Sequence, residues 1–252
     1  MIGAQKVDVF TPCEASLYAP HTVSNFVELL SAMGVEWRSE GSPACCGRCL
    51  YEAGDWSGAR ALGEELLRSH AGEGLVVCCS SGCAAYMRAG MARLFRGSTH
   101  QAASEAFAGR VMDAAAFLVH VARLDTSRLS FPHKVALLDH CRLVPRQEPR
   151  RLLSPMGGIE LTEPSEAVAC CGHGGALPSR FAEGADEMAR RRAEAALAAG
   201  AEYVVGTDVG CLRHLQIYCQ KSGLPLRCVH IVDLLAEAQR HAAPLPSMAA
   251  NK

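Results

Sequence analysis

The sequence predicts an α/β protein of two pseudo-symmetric lobes, each a small parallel sheet flanked by helices. Three observations carry the prediction. A series of landmarks occurs twice at a nearly constant offset, short β-rich apolar runs alternate with stretches of helical periodicity, and cysteines stand close behind those runs.

Each half opens at a lysine, crosses an apolar run and reaches a cysteine, over residues 6–13 in the first half and 134–141 in the second. A helical region then ends at Met33-Gly34 and at Met156-Gly157, and a strand-like piece follows at 35–37 and 159–161. Next comes Cys-Cys-Gly: Cys45, Cys46 and Gly47, then Cys170, Cys171 and Gly172. After a longer helical stretch, a second apolar run ends in Gly-Cys, over 75–83 and 203–211. The offsets are 128 residues from Cys13 to Cys141, 125 from Cys45 to Cys170, and 128 from Cys83 to Cys211. An internal duplication with one small deletion explains them and predicts two Rossmann-like lobes about a pseudo-two-fold axis.

The runs 7–10, 75–77, 135–138 and 203–205 are short and rich in valine and leucine, as strands buried on both faces are. Residues 58–69 and 185–199 space their apolar residues as helices do, and Gly200 stands where a helix C-cap is expected. Strands alternating with helices imply βαβ units and parallel sheets. The expected division is a first repeat over 1–98, an alanine-rich helical link over 99–132, a second repeat over 133–243 and a disordered tail over 244–252.

The chain has 252 residues, of which 49% are hydrophobic, enough to bury a large core. A net charge of −1 offers no basic face to nucleic acid or to an anionic membrane. No apolar run approaches the roughly 18 residues of a transmembrane helix, and no signal peptide is read at the start, so the expected location is cytoplasmic. There the 13 cysteines are read as metal-binding or redox groups rather than a disulfide framework.

In open α/β sheets, ligands bind beyond the carboxyl ends of the strands. That rule gathers Cys13, Cys45, Cys46, Cys79 and Cys83 in one lobe, and Cys141, Cys170, Cys171 and Cys211 in the other. Four or more converging thiolates suit an iron–sulfur cluster or zinc, zinc being best matched by the four of the second lobe. The bland alternative, a cysteine as a small buried hydrophobe, is assigned to Cys49, Cys78, Cys219 and Cys228, which have no repeat partner. Cys78 is the one of these that could replace Cys79. His140 and His173 flank the second-lobe cysteines as ligands, proton donors or hydrogen-bond partners of a centre, or as ordinary polar residues. Asp208 is a helix N-cap or a hard ligand, with the cap favoured. Asp139 belongs to the same surroundings or to an ordinary ion pair.

These strings resemble the cysteine-rich CCG domain family, over almost the whole chain. The family pattern is a cysteine, a spacer, Cys-Cys-Gly, a second spacer and Cys-x-x-Cys, as in the cysteine-rich chain of heterodisulfide reductase. The strings at 170–175, 207–214 and 81–85 are similar to its short, two-repeat lactate-utilisation branch. Carried over residue by residue, the resemblance implies ligands at Cys13, Cys45, Cys46 and Cys83, and at Cys141, Cys170, Cys171 and Cys211. Ser80 and Asp208 stand where the family has the first cysteine of Cys-x-x-Cys, which sets this chain apart.

The resemblance implies an iron–sulfur electron-transfer subunit, with one or two [4Fe–4S] clusters, of a complex that oxidises L-lactate to pyruvate. Its implied partners are a second iron–sulfur protein and a small third subunit. A thiol–disulfide reductase like heterodisulfide reductase and a zinc-stabilised assembly module are the competing expectations.

Overall fold

A computed structural model describes residues 6–39, 45–141, 147–164, 170–175 and 177–242. The tail expected to be disordered, 244–252, lies outside the described residues.

The first lobe runs β1 (Val7–Phe10), α1 (Cys13–Tyr18), α2 (Pro20–Ala32), β2 (Trp37–Arg38), α3 (Arg48–Ala53), α4 (Trp56–Ser69) and β3 (Val76–Cys78). Then α5 (Ser81–Ala85) passes through a π-helical turn, Tyr86–Gly90, into α6 (Met91–Leu94), followed by α7 (Gln101–Arg110), β4 (Val111–Asp113) and α8 (Ala114–His120). The second runs β5 (Lys134–Leu138), α9 (Glu148–Leu153), β6 (Glu160–Thr162), α10 (Leu177–Arg180), α11 (Ala182–Ala198), β7 (Tyr203–Gly206), α12 (Val209–Lys221), β8 (Arg227–His230) and α13 (Ile231–Arg240).

The strands form two parallel sheets in the same order, β2-β1-β3-β4 and β6-β5-β7-β8. This is the duplicated α/β architecture expected from the repeat. Each sheet gains a fourth strand that the sequence pattern did not reveal. The stretch 99–132, read as a helical link, holds α7 and α8 but also β4, so the first sheet extends into it. β4 and β8 escape notice because they are short edge strands, and Arg227 and His230 break the apolar run of β8.

Local signals account for the helix ends. Asp55 caps α4 by accepting from Gly58 N–H at 2.9 Å, and Asp113 caps α8 by accepting from Ala116 N–H at 3.2 Å. Gly200 ends α11 with φ +78° and donates to Leu197 O at 2.8 Å, while Ala201 N–H reaches back to Ala196 O at 3.0 Å.

One core joins the two lobes. Phe26, Leu29 and Leu30 of α2 pack with Phe117 and Leu118 of α8 and with Ile231, Leu234 and Leu235 of α13, against Val9, Val77, Leu137 and Val205 of the sheets. Asp233 of α13 ties this interface by accepting from Thr22 Oγ1 at 2.7 Å and Asn25 Nδ2 at 2.8 Å. The opposite face of each sheet has its own smaller core, aromatic in the first lobe (Phe10, Tyr86, Phe95, Phe107) and alanine-rich in the second (Ala136, Ala189, Ala193, Ala196). Among the described residues, no helix is long and apolar enough to cross a membrane.

Candidate metal centre

Parallel strands bring the cysteine-bearing turns to the carboxyl ends of both sheets, and all 13 cysteines are free thiols. In the first lobe, Cys13 opens α1, Cys45 and Cys46 precede Gly47, Cys78 ends β3, and Cys83 lies in α5. The Cys45 sulfur accepts a hydrogen bond from Cys13, which lowers the Cys45 pKa to about 6 against the opposing effect of burial and raises that of Cys13. Cys83 accepts from both Cys46 and Cys78, so its pKa falls well below the ordinary thiol value while theirs rise. The Cys83 charge also bears on Cys13 and Cys45, so the two hydrogen-bonded sets make one group of five sulfurs.

Cys79 is not among them. Side chains alternate across a strand: Val76 and Cys78 face the outer core of the first lobe, whereas Val77 and Cys79 face the core between the lobes. Burial there pushes the Cys79 thiol up. Cys78, expected to be a core residue, takes the place expected of Cys79. Of the other cysteines without repeat partners, Cys49 is exposed on α3 rather than buried, and Cys219 bonds Cys228 away from both groups.

In the second lobe, Cys170 accepts from Cys141 and Cys171, which holds its pKa far below that of a free thiol; Gly172 N–H adds a donor 3.5 Å from its sulfur. Cys171 in turn bonds Cys211. All four expected thiols of this lobe meet. Donor atoms of His140, Asp208 and Cys211 also lie within 4.8 Å of one another. A cavity of about 660 Å³ opens above this group, lined by Cys141, Cys170, Cys171, His140, His173 and Arg48. Asp139 proves to be an ordinary ion-pair partner, receiving Arg150 at 2.9 Å.

The sequence profile of the cysteine-rich domain named CCG matches residues 7–88 and again 135–216. The chain belongs to the CCG domain family. It is 29% identical over 235 residues to lactate utilization protein A of Geobacillus thermodenitrificans, covering 91% of this chain and 98% of that protein. It is 24% identical over 239 residues to the protein of the same name from Halalkalibacterium halodurans, covering 93% and 98%. A solved structure of an aspartate racemase homologue from Pyrococcus horikoshii aligns over 94% of this chain and 98% of its own, at 10% identity and a TM-score of 0.32, too low to carry an argument.

In this CCG protein the two motifs share one backbone device. Gly47 and Gly172 both adopt φ +87°, and a Cβ on Gly172 would lie 2.6 Å from Ala185 O, so the turn that presents each cysteine pair needs glycine. The glycine before each last cysteine makes room for the residue that follows Cys-Cys-Gly in the same lobe. A Cβ on Gly82 would lie 1.6 Å from Arg48 Nη1, and one on Gly210 would lie 2.2 Å from His173 Nε2. Arg48 and His173 are repeat partners, and they meet at one carboxylate: Glu14 contacts Arg48 Nη2 at 3.4 Å and His173 Nε2 at 2.7 Å.

The two departures from Cys-x-x-Cys also meet. Ser80 Oγ donates to Asp208 Oδ2 at 2.7 Å, across the 128 residues that separate the repeats. The same oxygen accepts from Gly82 N–H at 2.9 Å and Arg48 Nη1 at 3.3 Å, while Oδ1 accepts from Cys211 N–H at 3.1 Å and caps α12. Burial opposes ionisation of Asp208, but Arg48 foremost overcomes it and holds the carboxyl well below the usual range. Ser81 N–H donates to Thr207 O at 2.9 Å, completing a polar seam between the lobes.

Converging soft donors fit a thiophilic metal centre in each lobe. Among the described residues, the buried hydroxyl of Tyr86 and the Nε of Arg48 make no hydrogen bond. Both lie against the first-lobe thiols, where a metal-bound sulfur would offer an acceptor. Arg48, Glu14 and Tyr86 carry no mark in the linear sequence except that Arg48 is the repeat partner of His173.

Proposed function

We propose that this chain carries electrons through iron–sulfur centres, one in each lobe, as a component of a system that oxidises L-lactate to pyruvate. The observation that carries the reading is the convergence of two thiol groups, five in the first lobe and four in the second, on either side of one polar seam. A role in lactate utilisation is supported by the name of the relatives in Geobacillus and Halalkalibacterium that match nearly end to end. The same reading gives it a second iron–sulfur protein and a small third subunit as partners, in a reducing cytoplasm where thiols persist.

Cys13, Cys45, Cys46, Cys78 and Cys83 would hold the first centre, and Cys141, Cys170, Cys171 and Cys211 the second. Such a centre, when bound, supplies one-electron transfer. The protein's part is to set the electrostatics around it. Backbone N–H groups such as that of Gly172 point at cysteine sulfur, and the buried Arg48 cation faces the first-lobe thiols, both of which favour added negative charge.

Anaerobic purification with iron and acid-labile sulfide quantification and electron paramagnetic resonance tests this. Two iron–sulfur signals are expected, with Cys171→Ser abolishing one and preserving the fold. Colourless protein holding zinc alone would establish the assembly-module reading instead. The cavity above Cys141, Cys170 and Cys171 favours a second reading, reductive cleavage of a disulfide substrate at the second lobe. Turnover of a small disulfide by the reduced protein distinguishes it.

A further inference from the structure

The lobes obtain their lobe-specific donor from different places. In the first lobe Cys78, at the end of β3, joins the four cysteines of the repeat. Its repeat position in the second lobe is Gly206, the last residue of β7. A Cβ there would lie 3.1 Å from Leu212 Cδ2 and 3.3 Å from Leu138 Cβ, so a fifth thiol has no room. The second lobe carries His140 instead, just beyond β5. A ring nitrogen of His140 lies within 4.8 Å of the Cys211 sulfur, and the residue lines the same cavity wall as all four thiols. The repeat position of His140 in the first lobe is Pro12, which has no side-chain donor. One donor has been exchanged for another between strands of the duplicated unit.

Asp208, the other non-thiol donor nearby, is engaged as a cap and ion-pair partner by Cys211 N–H, Ser80, Gly82 N–H and Arg48. That commits both carboxylate oxygens to the seam. We infer that His140 is the fifth ligand of the second-lobe centre, its neutral imidazole joining Cys141, Cys170, Cys171 and Cys211. The inference rests on the proposed iron–sulfur function. A neutral nitrogen in place of a thiolate leaves the second centre with one negative charge fewer than the first. On that account alone, the second centre is easier to reduce than five thiolates would make it.

The test is pulsed electron paramagnetic resonance on dithionite-reduced protein grown with ¹⁵N-histidine. One of the two signals is expected to show the strong coupling of a metal-bound imidazole, distinct from the weak coupling of backbone amides. His140→Ala should abolish that coupling, and His173→Gln should keep it. No strong histidine coupling in the unsubstituted protein overturns the inference without any variant. So does coupling that survives His140→Ala or disappears with His173→Gln. Absence of iron and sulfide would instead remove the underlying reading.

Discussion

The two lobes keep the same backbone and have exchanged the side chains around it. Gly47 and Gly172 share one φ, the sheets share one strand order, and glycine stands before the last cysteine in both. Yet the first lobe buries Cys46, Cys78 and Cys83 beside an aromatic core and a fixed Arg48, whereas the second leaves Cys141 exposed under an open cavity with His173 in place of Arg48. Duplication has held constant the turns that aim thiols at the sheet edge and released the residues that decide access and charge. The first lobe is built as an enclosed site and the second as an accessible one.

That contrast breaks most visibly at the seam. Asp208→Ala leaves Arg48, whose side chain is only 6% exposed, with Glu14 as its remaining carboxylate partner, and removes the cap of α12. Loss of one partner from a buried ion pair costs about 3–5 kcal/mol, measured by urea unfolding. Because Asp208 ionises well below the ordinary carboxylate value, its contribution is complete above about pH 4 and declines as the pH falls toward the depressed folded value. The variant should therefore lose less stability than the parent on acidification. A cost under about 1 kcal/mol, near that of a surface pair, would show that the seam does not hold the lobes.

Next in size is Gly82→Ala against Gly210→Ala. The first drives a methyl group into Arg48 and the second into His173. Overpacking of this kind costs about 1–3 kcal/mol, and the Gly82 variant should be the worse because Arg48 is pinned by two carboxylates. Equal costs in thermal unfolding would contradict the asymmetry between the lobes.

Cys78→Ser and Cys79→Ser sharpen the comparison within one strand. Iron bound to the first lobe should fall for Cys78→Ser and stay constant for Cys79→Ser, which lies in the inter-lobe core and should register only as lost stability.

The smallest effect is chemical. In metal-free, reduced protein, Cys45 should react with iodoacetamide with a midpoint near pH 6, its rate falling below that pH as the thiolate is protonated. Cys13→Ala, which removes the donor to its sulfur, should move the midpoint up toward the ordinary thiol value of about 8.5.

The lobes, the parallel strands and the meeting of eight of the nine expected thiols were legible in the sequence, because cysteine and glycine at repeated spacing have few structural meanings. Cys79 was misplaced for a geometric reason. A strand turns successive side chains to opposite faces, so a one-residue uncertainty at the end of β3 exchanges Cys78 for its neighbour. Glu14 and Tyr86 could not be found by pattern, since their partners lie far along the chain. Arg48 could have been found by laying the first motif over the second, where it falls on His173. The Asp208 cap was legible because a short acidic residue just before a helix is a local signal.

Ser80 and Asp208 hold the same place in their respective repeats and touch each other. In a symmetric dimer of single repeats, a two-fold axis would set each residue opposite its own copy. Serine would face serine, or two carboxylates would collide. Only after the two copies had become distinct could a hydroxyl meet a carboxylate there, so this hydrogen bond dates itself to a time after the duplication, and splitting the chain back into halves would leave each without the partner it evolved to meet.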